Sequence, residues 1–259
     1  GKIVVVAGFQ GRTEKDEITT LGRGGSDTTA VVLGGYLKAD LVEIYTDVPG
    51  IAVTDPRIIP EASFIPEISF DEVIAMAENG AKVIHPRAVK AAKKFNIPLK
   101  IKSTFDQSEG TLIGPNESDF PISGITLQED LVTALFTNVK TFGDDEINTL
   151  HKLSCNNIVF SNDKEDKIIV INEDQKDAAV DLAKKCKMGL KFHGNMSKIT
   201  VIYKGTIGSS EMDNKIDKLL FEANIPIEAR ESSGNCSAFI VKGEYSKESI
   251  RAIFNGYFS

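Results

Sequence analysis

The chain has 259 residues, 41% of them hydrophobic and 26% charged, the mixture of an ordinary soluble globular protein. A net charge of −7 argues against a nucleic-acid polyanion as the main partner, and no apolar run approaches the roughly 20 residues that span a bilayer. Cys155, Cys186 and Cys236 are too few and too widely spaced for a disulfide framework or a zinc site, and suit reduced thiols in a cytoplasmic protein.

The chain opens on Gly1 rather than Met, which suggests a fragment, a matured chain or a chain trimmed for expression. Residues 2–7 (Lys-Ile-Val-Val-Val-Ala) are too short for a signal peptide and read as a buried parallel strand. Gly8, Phe9, Gln10 and Gly11 form a turn, followed by a polar hairpin tip over residues 12–17. Then comes Thr20-Leu21-Gly22-Arg23-Gly24-Gly25-Ser26-Asp27, a glycine-rich turn running into a helix expected over residues 28–37. Glycine lets a backbone approach a ligand closely, and Arg23 offers a planar fork of donors. Ser26 or Asp27 is placed to cap the helix, whose first N–H groups attract anions. Together these favour a site for a charged small molecule over a plain left-handed turn.

A strand is expected over residues 41–45, ending at Thr46 and Asp47 before a Pro49-Gly50 turn. Ligands gather beyond the carboxyl ends of strands in open α/β sheets, although a polar strand end is the simpler reading of this pair alone. Asp55-Pro56-Arg57 reads as a loop with a local ion pair. Ser69 and Glu72 have capping-box spacing and open a helix that Gly80 closes. Lys82 then reads as solvated, and His85 as a hydrogen-bonded residue before Pro86, which starts the next helix. Glu43 is left unassigned. With a strand over residues 99–103, the first 105 residues alternate strand and helix, which argues for a mainly parallel sheet.

After a polar linker at residues 114–119 the pattern changes. Two successive stretches each read strand–helix–strand–strand–helix, the spacing of a ferredoxin-like fold. Their helix starts, Gly143-Asp144-Asp145-Glu146 and Gly208-Ser209-Ser210-Glu211, are helix caps on the simplest reading and small-molecule loops on the functional one.

The order of Val5-Val6-Ala7-Gly8-Phe9-Gln10-Gly11, the glycine-rich turn, Glu43-Ile44-Tyr45-Thr46-Asp47-Val48, Asp55-Pro56-Arg57-Ile58 and Gly80-Ala81-Lys82-Val83-Ile84-His85-Pro86-Arg87 closely resembles the second half of the catalytic domain of aspartate kinases, members of the amino-acid kinase family. The C-terminal pair resembles the tandem ACT units of the same enzymes. The resemblance implies an α/β partial amino-acid kinase domain at residues 1–117, a mainly parallel sheet with flanking helices, followed by two ferredoxin-like ACT α+β units at 118–192 and 193–259. It implies ATP- and Mg²⁺-dependent phosphorylation of the L-aspartate side-chain carboxylate to 4-phospho-L-aspartate, the first step toward lysine, threonine and methionine.

Carried over residue by residue, Arg23, Gly24, Gly25 and Ser26 match the aspartate-holding segment, with Ser26 also near nucleotide. Thr46, Asp47, Val48, Pro49, Gly50, Ile51 and Ala52 match the nucleotide loop, and Arg57 and Lys82 further ATP contacts. Gly143, Asp144, Asp145, Gly208 and Ser209 fall on loops where a lysine or threonine effector would bind, across a homodimer formed through the ACT units. No residue is expected to hold a metal directly, and neither nucleic acid nor membrane is an expected partner. The sequence departs from the family at Ala52, commonly tyrosine, and Pro49, commonly aspartate. The family's N-terminal Lys-Phe-Gly-Gly phosphate motif is absent, which implies that this chain alone does not turn over. The rivals are another amino-acid kinase, such as a glutamate 5-kinase or acetylglutamate kinase, which lacks tandem ACT units, and a non-catalytic amino-acid sensor, which has no use for Arg23, Asp47 and Lys82 together.

Overall fold

The computed structural model describes residues 1–137, 144–153, 159–161, 166–205 and 207–258. The chain forms two compact units, Gly1–Gly124 with Ile202–Lys204, and Ile125–Val201 with Gly205–Ser259.

In the first unit, β1 (Gln10–Arg12) and β2 (Ile18–Thr20) pair as an antiparallel hairpin. An Arg12–Asp16 ion pair at 2.9 Å closes its tip, where the sequence places a polar turn. There follow α1 (Gly25–Leu37), β3 (Val42–Thr46), β4 (Glu67–Ser69), α2 (Phe70–Glu78), α3 (Pro86–Phe95), β5 (Leu99–Ser103) and β6 (Thr111–Gly114). The sheet order is β3-β5-β6-β4. β3 and β5 are parallel, in register from Val42↔Leu99 to Thr46↔Ser103, because a long helical crossover separates them. β5 and β6 are joined only by residues 104–110, too short for a crossover, and run antiparallel. The sheet is therefore mixed. Val31, Ile68, Leu99, Ile101 and Ile113 fill its core, each fully buried.

Both helix starts expected downstream form as the sequence indicates. Ser69 and Glu72 make a reciprocal capping box at α2, and Pro86 occupies the first turn of α3 with His85 as its cap. Gly35 lets α1 and α3 pack closely, since a Cβ there would lie 2.4 Å from the Phe95 ring.

The apolar run at residues 2–7 departs from expectation. It is not a strand, and Ile3 and Val5 are 95% and 92% exposed. A buried parallel strand needs ladder partners, and among the described residues no strand pairs with this run. The outer side of α1 carries exposed Tyr36 and Leu37 as well, so the helix is apolar beyond the face it buries.

The second unit contains most of β7 (Ile122–Thr137), then α4 (Asp144–Leu153), β8 (Val159–Ser161), β9 (Lys167–Ile171) and α5 (Lys176–Lys185). The order repeats in β10 (Gly189–Tyr203), α6 (Ser209–Glu222), β11 (Ala229–Ser233), β12 (Cys236–Lys242) and α7 (Ser246–Phe258). The two repeats share one six-stranded sheet, β11-β12-β10-β7-β9-β8, with the two longest strands central. The period-2 pattern of β7 serves both faces. Val132, Ala134 and Phe136 pack with Leu150, Ala179 and Leu182, while Leu131 joins Val170, Met196 and Ile240. Among the described residues, no helix is long and apolar enough to cross a membrane.

Candidate active site

The glycine-rich turn is shaped by its neighbours. Gly22 and Gly24 adopt positive φ, 75° and 71°. A Cβ on Gly24 would stand 2.2 Å from the Cβ of His85, and one on Gly25 would stand 2.8 Å from the Phe9 ring. The Phe9 carbonyl accepts from Leu21 N at 3.0 Å, and Phe9 N donates to the Thr29 hydroxyl at 3.2 Å. Arg87 reaches the Leu21 carbonyl from the other side at 3.4 Å. His85 and Arg87 thus hold the turn, a role that sequence reasoning missed because contact between segments so far apart leaves no local signal.

The cap also differs from expectation. Neither Ser26 nor Asp27 caps α1. Gly24 is its N-cap, in the left-handed conformation, with no side-chain hydrogen bond. The reason is register: close packing under His85 puts Gly24 at the boundary, so Ser26 and Asp27 fall inside the first turn. There the Ser26 hydroxyl donates to the Asp27 carboxylate at 3.3 Å. The Thr28 and Thr29 hydroxyls bond back to the Gly24 and Gly25 carbonyls at 2.9 and 2.8 Å. No side chain therefore caps the helix start, and Arg23 beside it is exposed, with no polar partner among the described residues. A carboxylate or phosphate suits such a place, though Asp27 sets a negative charge within it.

The stretch from Thr46 to Ala52 leaves the carboxyl end of β3. Thr104 N donates to the Thr46 carbonyl at 2.8 Å, and the Thr46 hydroxyl donates to Asp47 at 3.1 Å. Asp47 is exposed, Val48, Pro49 and Ala52 half-buried, and Gly50 and Ile51 buried. Ile51 bonds through both backbone groups, to the Thr111 hydroxyl and to Ile65 N, each at 2.8 Å. Gly50 and Ile51 form the packed underside of the loop.

Arg57 is bound to Asp55 through its backbone N–H (2.9 Å), Nε (3.0 Å) and Nη2 (2.6 Å), so the expected local ion pair forms. Hydrogen bonds from the guanidinium hold the Asp55 carboxyl below its usual range, with Lys82 adding a nearby positive charge. The pair orients a guanidinium whose remaining N–H groups face solvent. Asp55 is lowered on folding, so its contribution is present above the ordinary aspartate pKa and is lost as pH falls through the lower, folded value. In acid, amide exchange at Ile58 and Ile59, which both bond to the Asp55 carbonyl, is expected to quicken earlier in Arg57→Ala than in the parent. Identical acid profiles would contradict this.

Glu43 pairs with Lys102 at 3.3 Å on the sheet surface. His85 Nδ1 accepts from Arg87 N at 3.2 Å, as the simpler reading of that residue holds. Of the expected effector positions, Gly143 lies outside the described residues and Asp144 begins α4. Asp145 is exposed, and Gly208 and Ser209 are the N-cap and first residue of α6. Cys186 and Cys236 are not joined in a disulfide, and Cys155 lies outside the described residues. Among the described residues no group of three or more His, Cys, Asp or Glu could hold a metal ion.

The amino acid kinase family profile matches residues 1–103. Aspartokinase 2 of Bacillus subtilis is 37% identical over 246 residues, covering 88% of this chain and 59% of its own length. The aspartokinase of Pseudomonas aeruginosa is 30% identical over 275 residues, covering 99% of this chain and 67% of its own. Among solved structures, E. coli aspartokinase III in complex with aspartate and ADP (R-state) superposes with a TM-score of 0.80 at 25% identity, over 97% of this chain and 60% of that one. The same enzyme with lysine and aspartate (T-state) gives 0.75 at 26%, over 97% and 59%. The chain therefore spans 59% to 67% of these proteins, and its mixed α/β fold matches theirs over nearly its whole length.

Proposed function

Because this chain belongs to the aspartate kinase family, we propose that it carries the aspartate-clasping turn and the nucleotide loop of an enzyme that transfers the γ-phosphoryl of ATP to the side-chain carboxylate of L-aspartate. The product is 4-phospho-L-aspartate, at the entry to lysine, threonine and methionine synthesis. The observation that carries this reading is the uncapped start of α1 with exposed Arg23 beside it. Arg23 forks onto an aspartate carboxylate, and the bare amides at Gly24 and Ser26 take negative charge from substrate and phosphate, while Gly25 N is held by the Gly22 carbonyl at 3.0 Å. Thr46, Asp47 and the loop through Ala52 seat the nucleotide, with Arg57 and Lys82 set against its phosphates. Phosphoryl transfer to a carboxylate brings anions together, so neutralisation and alignment are what such residues supply. Without an aromatic ring at Ala52, base stacking has to come from elsewhere. Among the described residues no cluster of carboxylates is placed to cage Mg²⁺.

The division at 1–117, 118–192 and 193–259 into a partial kinase domain and two ACT units is part of the same reading, supported by the repeated element order. So are a cytoplasmic homodimer joined through those units and feedback by an amino acid at the helix starts near Asp145 and Gly208. E. coli aspartokinase III has been solved with lysine bound, and calorimetric titration of this chain with lysine and threonine tests whether either binds.

The exposed Ile3–Val6 run and the bare apolar side of α1 fit a surface that a further part of the kinase domain covers. This chain by itself is therefore expected to form no aspartyl phosphate in a coupled ATP and aspartate assay. Turnover by the purified chain would contradict that.

A further inference from the structure

The segment after β5 grips the Thr46–Ala52 loop from beneath. Thr104 N holds the Thr46 carbonyl, and the Ser108 hydroxyl donates to the Pro49 carbonyl at 3.4 Å. Thr111, fully buried at the start of β6, accepts from Ile51 N at 2.8 Å and donates to the Ile65 carbonyl at 2.7 Å. Its backbone is fixed by pairing with Ile101, so the hydroxyl cannot follow the loop if the loop moves. Gly50 lies directly against it, and a Cβ at that position would stand 2.6 Å from the Thr111 oxygen. One hydroxyl thus satisfies two buried backbone groups and fixes the height of the loop at its tightest point.

We propose that Thr111 is a positioning residue for nucleotide binding: its buried hydroxyl holds Gly50 and Ile51 so that the Thr46–Ala52 loop is preformed for the ligand. This rests on the reading of that loop as the nucleotide site. Valine matches threonine in shape but leaves Ile51 N–H and the Ile65 carbonyl without that partner. The loop then samples other arrangements, and nucleotide affinity falls with the fraction that is competent.

The test compares Thr111→Val, Thr111→Ser, Gly50→Ala and Arg57→Ala in a protein extended to the length of its relatives, measuring KM for ATP, KM for aspartate and kcat. Thr111→Val is expected to raise the ATP KM about tenfold with the aspartate KM unmoved, and Thr111→Ser to restore it. In the present chain, exchange at Ile51 N–H should quicken in the valine variant and not in the serine one. A folded Thr111→Val with the parental ATP KM, while Arg57→Ala raises it, overturns the positioning role and leaves the nucleotide reading in place. No change in either overturns the nucleotide reading itself. Should the valine variant fail to fold, Gly50→Ala carries the same expectation, since its new Cβ pushes the loop off the same hydroxyl. A parental ATP KM in that variant would overturn the role.

Discussion

Glu72→Ala is expected to destabilise the first unit by about 3 kcal/mol or more, a large effect for one side chain. Glu72 is 1% exposed, in the first turn of α2. Its carboxylate accepts from Ser69 N at 2.8 Å, the Ser69 hydroxyl at 2.7 Å, Ser118 N and the Ser118 hydroxyl each at 3.1 Å, and the Ser123 hydroxyl. A buried anion is costly, and here hydroxyl and amide donors with the positive end of a helix offset that cost. Removing the carboxylate strands all these donors at once, each worth about 1 kcal/mol or more when left unpaired. It also frees the segment around Ser118 and Ser123 from α2. Glu72→Gln keeps the shape but turns one acceptor into a donor facing donors, so it should fall between parent and alanine. Urea unfolding followed by circular dichroism measures this. An alanine variant within about 1 kcal/mol of the parent would show that the network contributes little.

Gly24→Ala should be nearly as damaging, for two separable reasons. The position has φ 71°, and the added Cβ would lie 2.2 Å from that of His85. Left-handed backbone on a non-glycine residue costs about 1–3 kcal/mol, and overpacking a similar amount. Adding His85→Gly, which removes the Cβ that alanine would keep, relieves the clash but not the backbone strain. The pair should therefore be non-additive, with the double variant more stable than the sum of the singles predicts. Thermal unfolding of the four proteins decides it, and simple additivity would show that His85 does not press on the turn. Ligand binding at Arg23 should fall with either form of damage, since the guanidinium is set by the same turn.

Much of this was legible in the chain. The strand at Leu99–Ser103, the capping box at Ser69 and Glu72, and Pro86 at a helix start all follow from local rules of period, cap and turn. The repeated strand–helix–strand–strand–helix order was legible for the same reason. Non-local facts were not. The Ile-Val-Val-Val run has every property of a buried strand, and nothing within it reveals that no described strand pairs with it. Ser26 and Asp27 look like caps, yet packing against His85 places the boundary at Gly24. The site residues were visible as types, but which of them face solvent was not. Gly50 and Ile51 are buried because Thr111 and Ile65, remote in sequence, hold them down. Nor could the spacing of Ser69 and Glu72 show that Ser118 and Ser123 close over the same carboxylate.

The most direct measurement is aspartyl phosphate formation, trapped as the hydroxamate, in a protein extended to its relatives' length. It is compared with Arg23→Ala and Arg57→Ala across ATP and aspartate concentrations. Arg23→Ala should raise the aspartate KM at least tenfold and Arg57→Ala the ATP KM, each leaving the other substrate's KM close to the parent's. Parental kinetics in both variants, or no aspartate-dependent phosphoryl transfer by the extended parent, would contradict the assignment of the turn and the loop.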